Sequence, residues 1–135
     1  NPLPQKGTLF VSVKDSDKAK ILPVIRSFSK QGFKILATSG TAQFLIDGGV
    51  KTKIINKVSQ GSPHCVDALL EDKIDIVINT TETRKSINDS FGIRRTALIK
   101  NIPYSLTVSG ARASINSIKR LKAEDITVNP ITDFH

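Results

Sequence analysis

The sequence predicts a three-layer α/β sandwich, in which helices cover both faces of a five-stranded, mainly parallel sheet of Rossmann-like type. Short runs rich in β-branched residues alternate with amphipathic segments along the 135 residues of the chain. Such alternation is typical of parallel strands that are joined by right-handed helical crossovers. The run at 74–78 consists almost entirely of β-branched residues, as expected for a strand that is buried on both faces.

The first half of the chain contains three predicted strands and two predicted helices. The strands lie at 8–13, 33–37 and 51–55, where β-branched, aromatic and other apolar residues cluster. A helix follows the first strand, because the apolar residues there have the i, i+3, i+4, i+7 spacing of one helical face, at Ile21, Val24, Ile25 and Phe28. Pro23 removes a helical hydrogen bond, so this helix either starts near residue 22 or is kinked. Residues 38–41 predict a turn with helix caps before a short helix at 42–46, which two glycines at 48–49 close.

The second half continues the alternation after a loop at 56–62. Pro63 is compatible with the first turn of a helix that runs to about residue 71. Beyond the strand at 74–78, residues 79–89 are polar and are predicted to be irregular or to contain a helical turn. A helix at 90–101, a strand at 104–108 and a helix at 111–121 follow. Residues 125–135 are predicted to be a tail, in which 126–128 is a candidate edge strand. We therefore divide the chain into an N-terminal extension at 1–6, one domain at 7–121 and a C-terminal tail at 122–135.

The composition excludes several classes of protein and favours an anionic partner. Lys and Arg total 20 and Asp and Glu total 12, and the net charge of +8 attracts phosphorylated small molecules or acidic protein surfaces. Aromatic residues make up only 5%, and no helix-turn-helix, zinc-finger or RNA-binding signature is visible, so we expect no nucleic-acid partner. One cysteine and two histidines provide no disulfide framework and little material for a metal site, so no metal is expected.

The sequence also predicts where the protein resides and what it is part of. No apolar run approaches the roughly 20 residues of a membrane span, and no signal peptide is visible, so we expect no membrane contact. The single cysteine favours a reducing, cytoplasmic compartment. Because the chain lacks methionine and begins at Asn1, we expect it to be one domain of a longer protein.

Polar residues follow the ends of four predicted strands. In parallel α/β sheets, ligands bind beyond the carboxyl ends of the strands, near the point where the strand order reverses. These ends supply hydroxyls, amides, lysines and a glycine, at Ser12, Lys14, Lys18, residues 38–41, Asn56, Lys57, Asn79, Thr80 and Thr81. Hydroxyl and backbone N–H groups with lysines nearby suit a phosphate monoester. Each segment taken singly is also explained as a turn, a helix cap or a polar strand exit, whereas together they favour an anion site.

Several segments, in this order along the chain, resemble one known family. They are Ser12-Val13-Lys14, Gln31-Gly32-Phe33, Ala37-Thr38-Ser39-Gly40-Thr41-Ala42, Asn56-Lys57-Val58, Gly61-Ser62-Pro63-His64, Ile78-Asn79-Thr80-Thr81 and Ile93-Arg94-Arg95-Thr96-Ala97-Leu98. In combination they resemble the C-terminal allosteric domain of bacterial carbamoyl-phosphate synthase large chains, a methylglyoxal-synthase-like domain, over about residues 7–121. The resemblance implies a regulatory domain without catalytic residues of its own.

The resemblance also implies an effector and the residues that bind it. In this family UMP inhibits, and IMP can bind the same pocket. Lys18, Thr38 and Thr41 would hold the phosphate, Lys57 would add positive charge, and the pocket would be lined or completed by Ser12, Asn79, Thr80 and Thr81. ATP, Mg²⁺ and K⁺ would be bound only by the absent catalytic domains of the large chain. With the glutaminase small chain, those domains would make carbamoyl phosphate for pyrimidine and arginine biosynthesis in an oligomeric enzyme.

Ornithine activates members of this family where this domain meets the catalytic domains. Tyr104 matches a family residue on that side. Leu106 departs from the family pattern, in which a hydroxyl-bearing residue contributes, so control by ornithine is left open.

Two related enzymes are the alternatives. Methylglyoxal synthase eliminates phosphate from dihydroxyacetone phosphate and needs a carboxylate base near the phosphate pocket. In that family the base is an aspartate after the third strand, whereas this chain has Pro63 at about that place and Asp67 four residues later. The cyclohydrolase half of the bifunctional purine enzyme shares the Ser-Val and Thr-Gly-Thr-Ala pattern, but its later motif with lysine and histidine is not evident here.

Three further features have both a chemical and a structural interpretation. His64 is a candidate acid or ligand, although such a residue more often caps or packs at the start of a helix. Cys65 is most simply a small apolar residue of the same helix. Arg94 and Arg95 either bind phosphate or contact another domain, and we favour the domain contact because the parent protein is large.

Overall fold

A computed structural model describes residues 3–80 and 84–128 of the chain, and the side chains of residues 3–80 and 90–125. Within these residues the strands are β1 (Thr8–Ser12), β2 (Lys34–Ala37), β3 (Lys53–Ile54), β4 (Ile76–Asn79) and β5 (Tyr104–Ser105). They form one sheet in the order β3-β2-β1-β4-β5, and every pairing between neighbours is parallel. The predicted fold class is therefore confirmed.

Helices connect the strands and cover both faces of the sheet. They are α1 (Lys18–Lys30), α2 (Ser39–Asp47), α3 (Cys65–Leu70), α4 (Arg84–Ile99) and α5 (Val108–Val128), with short 3-10 turns at Asp15–Asp17 and Val58–Gln60. One apolar cluster joins α1, α2 and α5 to one face of the sheet, around Leu9, Val11 and Ile78. A second cluster joins α3 and α4 to the other face, around Phe10 and Val77.

The two central strands are buried on both faces, as their β-branched sequences predict. All four residues of β4 are buried, and β1 pairs with β2 on one side and with β4 on the other. The chain runs outward from β1 through β2 to β3 and then returns to place β4 and β5 on the opposite side of β1. The strand order therefore reverses between β1 and β4, which is the place where open parallel sheets bind ligands.

Several predicted boundaries in the first half were wrong, each for a local reason. Helix α1 begins at Lys18 and contains Pro23 in its interior, so the alternative of a start near residue 22 is excluded. Helix α2 begins at Ser39 instead of residue 42, because Thr38 takes the extended backbone of an N-cap. Pro63 lies before the helix, since α3 begins at Cys65. The predicted third strand at 51–55 narrows to the two residues Lys53–Ile54 at the edge of the sheet.

In the second half of the chain, the structure differs from the prediction mainly in the lengths of the last helices and strand. Helix α4 begins at Arg84, within the stretch that looked irregular. Strand β5 contains only two residues, because the Thr107 hydroxyl accepts the N–H of Gly110 at 3.0 Å and caps a helix that begins at Val108. Helix α5 continues to Val128, so both the end near residue 121 and the edge strand at 126–128 were wrong predictions. Lysine, arginine, alanine and glutamate at 119–124 favour a helix even where the apolar spacing has ended.

Candidate functional site

A cavity of about 240 Å³ lies at the carboxyl ends of β1, β2 and β4, beside the point where the strand order reverses. Seven of the eight residues that the family resemblance implies for an effector pocket line it, namely Ser12, Lys18, Thr38, Thr41, Lys57, Asn79 and Thr80. Thr81, the remaining predicted residue, lies outside the described residues. The structure thus brings together side chains that are up to 68 positions apart in the sequence, from residue 12 to residue 80.

Thr41 ties the end of β1 to the first turn of α2. Its side chain is buried, and its hydroxyl oxygen accepts the backbone N–H of Val13 at 3.2 Å. The same hydroxyl donates to the Val13 carbonyl across a longer distance of 3.5 Å. The hydroxyl therefore has partners within the protein, and the contribution of Thr41 to the cavity is first of all to hold its wall in place.

Two hydroxyl hydrogens remain available to a ligand, one from the pair Ser12 and Thr38 and one from Thr80. The hydroxyl oxygens of Ser12 and Thr38 are 3.1 Å apart, and because only one of them donates to the other, one hydroxyl hydrogen is left over. The Thr80 hydroxyl oxygen accepts the backbone N–H of Lys14 at 3.0 Å, which leaves its own hydrogen to donate. The backbone N–H of Thr80 in turn donates to the Ser12 carbonyl at 3.0 Å, extending the pairing of β4 with β1 beyond the strands.

The N-terminus of α2 forms one side of the cavity. The first helical hydrogen bond runs from the Ala42 N–H to the Thr38 carbonyl at 2.8 Å. The N–H groups of the three residues before Ala42 therefore have no acceptor within the helix. The Thr38 side chain makes no capping hydrogen bond to these groups. Gly40 and Thr41, which carry two of them, line the cavity. Free N–H groups and the helix dipole make this end of α2 attractive to an anion.

Three lysines give the cavity a positive charge. Lys14, Lys18 and Lys57 line it, and Asp15 is the one carboxylate among the described lining residues. The Lys18 ammonium contacts the Asp15 carboxylate at 2.7 Å, and this hydrogen bond and charge lower the pKa of Asp15. A side chain at Gly40 would bring its Cβ to 3.5 Å from the Lys18 Nζ atom, which places that ammonium beside the first turn of α2. The arrangement suits a ligand with more than one negative charge.

Part of the cavity wall is apolar and was not predicted as part of the site. Val58, Cys65 and Ile93 line it. Cys65 and Ile93 belong to the apolar cluster beneath α3 and α4. Burial raises the pKa of the Cys65 thiol to about 11, so the thiol is protonated and packs as a small apolar group. This combination of polar and apolar lining suits a ligand with a polar end and a less polar ring.

His64 and Asp67 form a structural pair at the start of α3. The backbone N–H of His64 donates to the Asp67 carboxylate at 2.9 Å, and the backbone N–H of Asp67 donates to the ring Nδ1 atom of His64 at 3.3 Å. This is a reciprocal capping box, which confirms the structural interpretation of His64. Hydrogen bonds from the His64 backbone and the Ser62 side chain lower the pKa of Asp67. Neither His64 nor Asp67 lines the cavity between β1 and β4.

A hydrogen bond connects the cavity to β5. The Asn79 side-chain amide donates to the Tyr104 hydroxyl at 2.8 Å, and Asn79 lines the cavity. Burial raises the pKa of Tyr104, with the bond from Asn79 opposing that rise. Leu106, two residues further on, is 49% exposed, so its side chain is accessible on the surface after β5.

Within the described residues, no three His, Cys, Asp or Glu side chains are grouped in a way that could hold a metal ion. No described helix is long and apolar enough to cross a membrane.

The family model for the MGS-like domain matches residues 20–106, which is more than half of the chain and includes five of the seven described cavity residues predicted from the sequence. This chain belongs to the MGS-like domain family. The resemblance noted from the sequence motifs is thereby confirmed.

Large chains of carbamoyl phosphate synthase are similar to this MGS-like domain over nearly its whole length. It is 46% identical to the carbamoyl phosphate synthase large chain of Rhizobium meliloti over 98% of its residues, which span 11% of that protein. It is 41% identical to the C-terminal section of the large chain of Methanopyrus kandleri, again over 98% of its residues and over 25% of that protein. The chain therefore spans a small part of the length of the curated relatives that it matches.

Solved structures share the fold at low sequence identity. A methylglyoxal synthase from Elizabethkingia anophelis aligns with a TM-score of 0.63 and 18% identity, covering 84% of this chain and 79% of the synthase. At that identity the likeness supports the fold and carries no information on activity.

Proposed function

We propose that this chain is the regulatory domain of a carbamoyl phosphate synthase large chain, and that its cavity binds a nucleoside monophosphate, UMP or IMP, as an effector. The observation that carries the proposal is the convergence of three lysines with the N-terminus of α2 on one cavity at the reversal of the strand order. A phosphate monoester carries up to two negative charges and several acceptor oxygens, which match these groups.

The phosphate is proposed to lie against the first turn of α2. There the Lys18 ammonium and the N–H groups of Gly40 and Thr41 come together. Lys57 adds charge from the loop after β3, and the free hydroxyl hydrogen of Thr80 is placed to donate from the end of β4. The sugar and base would extend toward the apolar wall.

A binding role is favoured over the lyase alternative because the cavity lacks a suitable base among its described residues. Asp15 is the one carboxylate there, and it pairs with Lys18 while its side chain is 87% exposed. Asp67 is engaged in the capping box at the start of α3. A base that removes a proton next to a carbonyl must be free to accept that proton inside the pocket; the Asp15 carboxylate is paired with the Lys18 ammonium, and Asp67 does not line the cavity.

The wider role of the domain follows from the kind of large chain that it resembles. We propose that nucleotide binding biases how the domain sits against catalytic domains that bind ATP, Mg²⁺ and K⁺ and act with a glutaminase small chain. The enzyme would be a cytoplasmic oligomer that supplies pyrimidine and arginine biosynthesis. Couplings of this kind are typically about 1–3 kcal/mol and act equally in both directions. Tyr104, which is bonded to the cavity residue Asn79, remains the proposed residue on the ornithine side.

Calorimetric titration of the chain with a panel of ligands tests the proposal. UMP or IMP should bind, and uridine and inosine should bind at least ten times more weakly because they lack the phosphate. Equal binding of nucleosides and nucleotides would contradict a phosphate site, and binding of none of them would contradict an effector site. In a parallel assay with dihydroxyacetone phosphate, release of methylglyoxal would establish the lyase alternative.

A further inference from the structure

The outward face of α4 carries a group of apolar side chains that no described residue covers. Phe91 is 65% exposed, Leu98 76% and Ile99 69%. With 3.6 residues per turn, these positions lie on the opposite side of the helix from Ile93 and Ala97, which are buried. A surface helix normally presents polar residues on this side, and a cluster of exposed apolar residues is typical of a contact surface.

The same face of α4 is positively charged. Arg94 and Arg95 are both exposed, and residues 90–100 contain no Asp or Glu. None of the ion pairs among the described residues includes either arginine. We call Phe91, Arg94, Arg95, Leu98 and Ile99 together the α4 surface. Its complement is an apolar patch that carries carboxylates at its edge.

We propose that the α4 surface docks onto the remainder of the large chain to which this domain belongs, at an apolar patch with acidic residues around it. The similar large chain of Rhizobium meliloti devotes only 11% of its length to the matching segment, so most of such a polypeptide lies outside this domain. The inference rests on membership in a large chain, as in the proposed function, and does not depend on nucleotide binding.

A second copy of the chain is a poorer occupant of the α4 surface. A two-fold contact between two α4 helices places the same patch on both sides of the interface. Arg94 and Arg95 of one copy would then face the arginines of the other, with no Asp or Glu among residues 90–100 to separate them. Like charges brought together in this way oppose association.

The position of α4 also explains how docking and ligand binding can affect each other. Ser90 and Ile93 on the inner side of this helix line the cavity, whereas the α4 surface lies on its outer side. A ligand in the cavity and a docked partner would therefore contact opposite sides of a single rigid element. A small shift of α4 on ligand binding would therefore move the side chains of the α4 surface relative to the docked partner.

Hydroxyl-radical footprinting of the complete large chain and of this chain alone tests the proposal. In this chain alone, Phe91, Leu98 and Ile99 should be oxidised readily, because their side chains are exposed. In the large chain, oxidation of these three residues should fall at least fivefold, while Ile46, 41% exposed on α2, should be oxidised equally in both. Equal oxidation of Phe91 in both proteins would overturn the proposal. Protection of Phe91 that grows with the concentration of this chain alone would show self-association and would also overturn it.

A pair of charge reversals separates docking from nucleotide binding. Arg95→Glu in the large chain should restore oxidation of Phe91 at least threefold toward its level in this chain alone, because the new carboxylate faces an acidic partner. Lys20→Glu, at an exposed position on α1, is the matched control and should change nothing. In this chain alone, Arg95→Glu should leave the melting temperature and UMP titration unchanged. If Phe91 is protected from oxidation in the large chain and UMP does not bind, docking is upheld and the proposed effector is rejected. If UMP binds and Phe91 is not protected, the effector is upheld and docking is rejected.

Discussion

Replacement of Lys18 by methionine tests the phosphate site most directly. Lys18→Met removes the ammonium group and keeps an unbranched apolar stem that suits the first turn of α1. The ammonium contacts Asp15 at 2.7 Å and lies beside Gly40, so the variant loses the positive charge that is closest to the start of α2. The fold should be retained, because the Lys18 side chain is partly exposed and methionine is a good helix former.

The expected loss of affinity follows from the charges around Lys18. Two unit charges about 4 Å apart attract by about 4 kcal/mol at an effective dielectric constant of about 20. The contact with Asp15 and the 21% exposure of the Lys18 side chain reduce this value. A charged hydrogen bond contributes about 1.5–3 kcal/mol in practice, so we expect a loss of about 2 kcal/mol, or roughly 30-fold weaker UMP binding.

Calorimetric titration with UMP at two salt concentrations measures the effect. Raising the salt should weaken binding to the parent chain more than binding to Lys18→Met, since the variant has already lost one of the attractive charges. Lys20→Met, at an exposed position of the same helix, is the control and should bind UMP like the parent. If Lys18→Met is folded by circular dichroism and binds UMP within twofold of the parent, the phosphate does not lie at the start of α2.

Three further predictions concern stability and reactivity. Thr41→Val should lower the free energy of unfolding in urea by about 1–2 kcal/mol, because the buried N–H of Val13 loses its acceptor; Ser12→Ala, which removes a half-buried hydroxyl, should cost less. The pKa of Asp67 is lowered in the folded protein, so its carboxylate stabilises the fold at pH values above the ordinary pKa of 3.8, and this stabilisation is lost as the pH falls through the lowered pKa. The stability of Asp67→Asn should therefore fall less steeply with acid than that of the parent, and equal slopes for the two proteins would contradict this. Cys65, buried and with a pKa raised to about 11, should resist iodoacetamide at pH 7.5 in the native protein and react after unfolding in urea; fast native reaction would show that the cavity wall opens.

The fold was largely predictable because its signals are local and repeated. The β-branched run around Ile76 and Ile78 identified the central strand, and the spacing of Ile21 and Phe28 identified α1 as amphipathic. The ends of elements were less predictable, since they depend on caps and propensities that act within a few residues. Thr107 illustrates this: its residue type fits a strand as well as a cap, and only the bond to the Gly110 N–H decides between them.

The polar wall of the site was predictable for a different reason from the apolar wall. The carboxyl ends of neighbouring parallel strands lie at the same edge of a sheet, so the polar residues there come together whichever helices connect the strands. Thr38 and Asn79 could therefore be predicted as site residues from the sequence. Val58 and Ile93 gave no such signal, because an apolar residue that faces a cavity has the same pattern as one that faces the core. Only the position of α4 against α3 and the sheet determines which of these side chains line the cavity.

The hydrogen bonds of the cavity change what its threonines can contribute to ligand binding. The sequence motifs presented Thr41 as a phosphate ligand, yet its hydroxyl is committed to the backbone of Val13 on both its accepting and its donating side. Rigid placement of the start of α2 is itself valuable, because N–H groups that are already oriented lose little freedom when an anion binds. The direct donors are therefore expected to be the backbone N–H groups of α2, the Thr80 hydroxyl and the lysines, with Thr41 holding the N–H groups in place. On this account Thr41→Val weakens UMP binding only as far as it loosens α2, whereas Lys18→Met weakens UMP binding while the fold loses only one largely exposed ion pair.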